Sequence, residues 1–254
     1  MFANERYEII LSMLKTQRSV TVSELMNRFG VSIETVRRDL AALEKHGDIG
    51  RVHGGAVAVG GGMRGLNPLS ERMNENQDEK RELSLKAAEL ISEKDHIAID
   101  AGSTAVEFVK VLREKFEELT IVTYSRDVLE GLDGKPGFKV VLVGGNYLPT
   151  ERVFCGFLAV GALKKLHVSK SFIFPSAVSQ KYGATINTSE FYDLDRALME
   201  ISDKTYLLAD SSKFEGASQI KVCDLDEVAA LITDSKLDDM TLQLYNEKDI
   251  TVIK

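Results

Sequence analysis

Asp100-Ala101-Gly102-Ser103-Thr104 follows the apolar run His96-Ile97-Ala98-Ile99, placing a carboxylate, a glycine and two hydroxyls where a strand hands over to a helix. Free backbone amides at such a helix start, with hydroxyls beside them, stabilise an anion. Asp210-Ser211-Ser212-Lys213 ends another apolar run and adds a cation, while Ser125 and Gly144-Gly145 close two more. An acid, paired hydroxyls, an amide cradle and a lysine suit a small phosphorylated polyol. Each piece alone is also an ordinary turn, and the glycine pair fits a turn that needs positive φ. No G-x-x-x-x-G-K-[ST] loop occurs. His96 and His167 stand singly, as do Cys155 and Cys223, so neither a metal nor a cofactor is expected.

A second chemistry sits nearer the start, in Val31–Gly47, "VSIETVRRDLAALEKHG". Ile33, Val36, Leu40 and Leu43 recur at helical spacing and form one apolar face. Arg38 lies opposite that face, Arg37 on its flank, and Glu34 and Thr35 on the exposed arc. Guanidinium groups there can meet guanine edges or phosphate oxygens in two-pronged fashion.

Those residues need a scaffold, and the first 57 residues supply one. Tyr7, Ile10, Leu11 and Leu14 predict a first helix. Thr21, with Glu24 three residues on, predicts the start of a second that runs to about Phe29. Gly30 turns the chain and Ser32 caps the third helix. A short helix, a glycine turn and a longer helix with basic residues near its start make a helix-turn-helix, whose second helix enters the major groove. Ile49, Val52 and Val57 then predict two short strands around Gly54-Gly55, a wing projecting Arg51 and His53 toward DNA.

The 254 residues carry a net charge of −7, but the first 57 carry +1 and the remainder −8. An acidic body repels phosphate backbones, so any DNA contact belongs to the head. No apolar run spans a bilayer and no secretory leader is present, which with two unpaired thiols predicts a cytoplasmic protein. Gly60, Gly61, Gly62, Gly65 and Pro68 mark residues 58–73 as a linker without regular structure. From residue 74 to 254, seven apolar runs alternate with helical patterns. They are HIAIDAG, LTIVTYS, FKVVLVGG, KSFIFPSA, KTYLLADSS, VAALITDS and DITVIK. Such alternation predicts an α/β domain with a mainly parallel sheet covered on both faces, its ligand beyond the strands' carboxyl ends.

The stretch "LMNRFGVSIETVRRDLAALEKHGDIGRVHGGA" resembles the winged helix-turn-helix of the DeoR family of bacterial transcription regulators. The resemblance implies that Ser32, Thr35, Arg37, Arg38, Arg51 and His53 face DNA, with Asp39 orienting an arginine. It extends into the body through D-x-G-[ST]-T, a Gly-Gly strand end and D-x-S-K-F. It implies a sensor domain similar in fold to ribose-5-phosphate isomerase and glucosamine-6-phosphate deaminase. Effector contacts would then come from Asp100, Gly102, Ser103, Thr104, Ser125, Gly144, Gly145, Asp210 and Lys213. Three positions depart from the family pattern: Tyr124 stands where Asn is usual, Pro175-Ser176-Ala177 replaces a glycine-rich turn, and Asp195 precedes Arg196 where Lys is frequent.

The reading expected from all this is a DNA-binding regulator, a repressor of a sugar-metabolism operon released by a phosphorylated sugar, and not an enzyme. Repeated half-sites on operator DNA imply a homo-oligomer, dimer or tetramer. The alternative is a sugar-phosphate isomerase or deaminase with an accessory DNA-binding head. It would need a general base from Asp100, Glu190, Asp193 or Asp210, and no pair among them is spaced for acid–base work.

Overall fold

A computed structural model describes every residue except Met1, Arg18, Gly47, His53, Val59, Gly60, Arg64, Gly65 and Leu66. The head is built from α1 (Ala3–Gln17), β1 (Ser19–Thr21), α2 (Val22–Phe29), α3 (Ile33–His46), β2 (Ile49–Val52) and β3 (Gly55–Ala58). Ile10, Leu14, Leu25, Val36, Leu40 and Leu43 interlock as its core. Burying each such side chain stabilises the head by about 1.5–3 kcal/mol. Thr21 caps α2 by accepting a hydrogen bond from the Glu24 amide, and Gly30 ends it in the left-handed region at φ 64°.

The wing has three strands, ordered β1-β3-β2. Its hairpin closes between Val52 and Gly55, with Gly54 at φ 94°. Gly55 therefore belongs to the strand, not to the turn. It is required there for another reason: a Cβ would sit 2.2 Å from the Val20 carbonyl oxygen and 2.9 Å from Met240 Sδ. Strand β1 is too short to show an alternation in sequence.

The chain then forms β4 (Gly61–Met63), α4 (Leu69–Arg72), α5 (Gln77–Ala88), β5 (His96–Ile99), α6 (Ser103–Lys115), β6 (Leu119–Thr123), α7 (Arg126–Leu132) and β7 (Phe138–Leu142). After a hairpin of β8 (Asn146–Leu148) and β9 (Val153–Cys155) come α8 (Phe157–Leu163) and β10 (Val168–Ile173). Next are β11 (Ala177–Ser179), β12 (Gly183–Ile186), α9 (Ser189–Glu200) and β13 (Ser202–Leu208). The last elements are β14 (Gly216–Ala217), β15 (Ile220–Cys223), β16 (Ala230–Ile232), α10 (Asp239–Asn246) and β17 (Val252–Ile253).

The seven apolar runs become one seven-stranded sheet, ordered β17-β16-β13-β10-β5-β6-β7, with every adjacent pair parallel. Alternate residues serve opposite faces. Ile97, Ile99 and Phe172 pack with Leu83, Phe108 and Val128 from α5–α7. On the other face Ala98, Ile173 and Leu207 pack with Leu163, Leu194 and Leu244 from α8–α10. Val52 and Val57 of the wing join that second cluster, so the head docks on α10.

Part of the supposed linker is ordered. β4 pairs in parallel with β14, and Leu69–Arg72 forms a short helix with Leu69 buried. Glycines discourage a strand in isolation, but a partner some 150 residues away, invisible to local pattern, supplies the hydrogen bonds. Among the described residues no helix is long and apolar enough to cross a membrane.

Candidate functional site

In the head, α3 presents Arg37 and Arg38 to solvent while Val36 and Leu40 are buried. Ser32 Oγ accepts the Thr35 amide at 3.4 Å and lies 3.2 Å from Thr35 Oγ1, fixing the helix start. Neither arginine pairs with an acid among the described residues. Asp39 does orient an arginine, but it is Arg6 of α1: Nε donates to Oδ2 at 2.6 Å and Nη2 to Oδ1 at 3.0 Å. In the wing Arg51 is exposed and makes a long direct contact of 3.4 Å with Glu44, itself exposed. His53 lies outside the described residues.

In the body, strand order reverses between β5 and β10. From β5 the chain runs outward through β6 and β7; from β10 it runs the other way through β13, β16 and β17. A crevice opens beyond the carboxyl ends at such a reversal. A cavity of about 300 Å³ lies there, lined by Gly102, Ser103 and Thr104 from the start of α6, Pro175 and Ser176 after β10, and Asp210 and Lys213 after β13. Gly102 adopts φ 118°, a conformation closed to most side chains, and no side chain caps α6. Its first amides therefore face the cavity without intrahelical partners. Thr104 is 1% exposed, and its Oγ1 has no hydrogen-bond partner.

Lys213 Nζ donates to the Pro175 carbonyl at 3.0 Å. Two further cations, unmarked by strand-end chemistry, line the same cavity: Arg72 of α4 and Lys80 of α5. Lys80 is buried and donates to the carbonyls of Arg72 and Glu75, each at 2.5 Å. Burial and then the neighbouring Lys213 charge push its pKa below the usual lysine range. The available signal was its place on the buried stripe with Leu83, Ser84 and Ala87. Asn76 reaches across to Asp210 Oδ1 at 3.2 Å.

Asp100 lies behind the cradle. Its Oδ1 accepts the Ala101 amide at 2.5 Å, and its Oδ2 accepts the Phe174 amide at 2.9 Å. One carboxylate thus ties together the ends of the two strands that flank the crevice. Tyr124 donates to Asp100 Oδ1 and lies 3.2 Å from Asp195 Oδ1. Two of the three departures from the family pattern therefore build one buried acid–phenol–acid group. Burial lifts Asp100 to about 6 against the opposing hydrogen bonds. Burial and then the Asp100 charge hold Asp195 well above the carboxylate range.

Ser125, Gly144 and Gly145 are not in the cavity lining. Ser125 caps α7 by accepting the Val128 amide. Gly145 permits close packing, since a Cβ there would meet the Cys155 carbonyl oxygen at 2.4 Å, and Gly144 is exposed. They end β6 and β7, which lie on the far side of β5 from β10. Asp193 is exposed, Glu190 accepts from Ser189, and Asp210 accepts the Ser212 amide and Asn76. Cys155 and Cys223 are free and buried, and burial lifts the Cys223 thiol to about 12.

Residues 6–60 match the family model of the DeoR-like helix-turn-helix domain, and residues 75–235 match that of the DeoR C terminal sensor domain. An L-fucose operon activator from Haemophilus influenzae is 33% identical over 98% of this chain and 99% of its own. A lactose phosphotransferase system repressor from Lactococcus lactis is 31% identical over 97% of each chain. Among solved structures, a ribose 5-phosphate isomerase A from Methanocaldococcus jannaschii aligns at 15% identity over 55% of each chain, with a TM-score of 0.40.

Proposed function

The chain belongs to the DeoR family of DNA-binding transcriptional regulators, and on that premise we propose that it represses a sugar-metabolism operon and leaves its operator when a phosphorylated sugar occupies the crevice. Residues 1–57 form the DNA-binding head and 74–254 the sensor, the acidic body leaving the operator to the head. Arg38 and Arg37 enter the major groove, with Ser32 and Thr35 at the mouth of the helix and Arg51 in the wing. The protein works in the cytoplasm, where operator DNA is, as a homo-oligomer matching repeated half-sites.

The observation that carries the effector reading is Thr104. A buried hydroxyl without a partner costs about 1–3 kcal/mol, and this one lies at an uncapped helix start in a cavity shared with three cations. A phosphate there would gain the α6 amides, Ser103, Thr104 and Lys213. Charge-assisted hydrogen bonds contribute roughly 1.5–3 kcal/mol each. Driving a population from 1:99 to 99:1 takes roughly 5.5 kcal/mol of differential affinity, which a few such bonds supply. Asp210 and Asn76 would meet the polyol.

We read the crevice as a sensor rather than a catalytic centre. Both Asp100 oxygens are committed to Tyr124 and backbone amides, and Asp210 Oδ1 to Ser212 and Asn76. Asp100 therefore offers the cavity no free base. The test is a screen of phosphorylated monosaccharides and their unphosphorylated parents for release of the protein from its own promoter fragment. Release by a phosphorylated sugar alone is expected; release by none of them, or equally by the parents, would overturn the effector assignment.

A further inference from the structure

Arg72 is the cavity cation that belongs to the segment leading out of the DNA-binding head. Its Nε donates to the Asn67 carbonyl at 2.8 Å, and its Nη2 pairs with Glu151 at 2.5 Å. Nη1 is turned toward the helix start, 3.9 Å from where a Cβ on Gly102 would lie. Glu151 is 6% exposed, so it depends on its cation. With Arg72, Asp100 and Asp195 it lines a smaller recess whose residues Gly102, Phe174 and Ser176 also line the main cavity.

The same segment is fastened to the crevice twice more. The Arg72 carbonyl accepts from the buried Lys80. Upstream, β4 pairs with β14, which begins three residues after Lys213. An anion seated on the α6 amides would compete with Glu151 for the guanidinium, and its negative charge would repel that carboxylate. A phosphate that takes Nη1 and Nη2 together in a two-pronged contact has to displace Glu151 from Nη2.

We propose, building on the phosphorylated-effector reading above, that Arg72 is a ligand-contacting residue that exchanges Glu151 for the effector phosphate, and that this exchange transmits occupancy of the crevice to the head. Breaking the Arg72–Glu151 pair frees α4 from the hairpin that carries Glu151, and β4, upstream of α4, moves with it. DNA affinity is then set by which acid holds Arg72.

The experiment compares full-length wild type, Arg72→Gln and Glu151→Gln. Calorimetry measures binding of inorganic phosphate and of glucose 6-phosphate, ribose 5-phosphate and fructose 1-phosphate. Fluorescence anisotropy measures affinity for the promoter fragment with and without the tightest of these at saturation. Glu151→Gln removes the competitor, so the probe binds about tenfold more tightly and releases DNA at correspondingly lower concentration. Arg72→Gln still binds the probe through the α6 start and Lys213, about tenfold more weakly, but saturation no longer changes its DNA affinity. A structural pin alone would lower the melting temperature of both variants and leave the wild-type release ratio intact. That ratio in Arg72→Gln, or unchanged probe affinity in Glu151→Gln, overturns the exchange while sparing the effector reading. Wild type that binds none of the probes overturns both.

Discussion

Arg6 and Asp39 form a two-pronged ion pair buried between α1 and α3, with side chains 8% and 2% exposed. It fixes the helix that carries Arg37 and Arg38 against the rest of the head. Truncating Asp39 takes the two-pronged carboxylate partner from a buried guanidinium. Asp39→Ala is expected to destabilise the head by about 3–5 kcal/mol and abolish operator binding, although Asp39 touches no DNA. Thermal melting with a promoter-binding assay checks this; a variant with normal melting and lost binding would mean that Asp39 contacts DNA itself.

The exposed arginines separate by what they meet. Arg38→Ala should weaken operator binding by about 1–3 kcal/mol and narrow the gap between operator and scrambled DNA. Arg37→Ala should weaken both DNAs alike and flatten the salt dependence by about one counterion. Operator affinity unchanged in the Arg37/Arg38 double alanine variant would remove α3 from the groove.

Periodicity makes the regular parts of this chain legible. All seven apolar runs become strands of one sheet, and the capping residues Thr21 and Ser32 sit where the helices begin. What escapes is whatever depends on a distant partner. Strand β4 exists because of β14, Arg72 meets Glu151 across 79 positions, and Lys80 enters the crevice from a helix with no strand-end signature. Strand-end chemistry singles out Gly102, Ser103, Thr104, Asp210 and Lys213, which line one cavity. Applied equally to Ser125 and Gly144-Gly145 it misleads, because the crevice lies over the ends of β5, β10 and β13 and not over those of β6 and β7. Which ends those are is a matter of topology, not of local sequence.

Gly55 shows a glycine required by proximity rather than by φ. In Gly55→Ala the new Cβ must displace the Val20 carbonyl or Met240, so β1 parts from β3 and the wing lifts from α10. The expected cost is about 1–3 kcal/mol, read by melting, with weaker operator binding. Full stability in this variant would contradict the docking of wing on body.

The Asp100–Tyr124–Asp195 group makes stability depend on pH in a definite direction. An unfolded carboxyl ionises near its ordinary value, about 4, while burial holds the folded Asp195 well above it. Above that pH the unfolded chain binds fewer protons than the folded one, so this group's contribution falls as pH rises. Asp195→Asn removes the share that Asp195 contributes and leaves that of Asp100. The variant's stability relative to wild type should therefore grow as pH rises above about 4, by up to about 1.4 kcal/mol per unit. Denaturation curves at several pH values measure it; a constant difference would show that Asp195 is ionised in the fold.

The most direct measurement is the pair of effects of Thr104→Val. Valine keeps the shape of threonine and deletes the orphaned hydroxyl, so the protein should melt at an equal or higher temperature. Its affinity for whichever phosphorylated sugar releases wild type from DNA should nevertheless drop by about tenfold, with the unphosphorylated parent binding neither protein. Unchanged affinity in the variant, or equal binding of sugar and sugar phosphate by wild type, would contradict a phosphate seated at the start of α6.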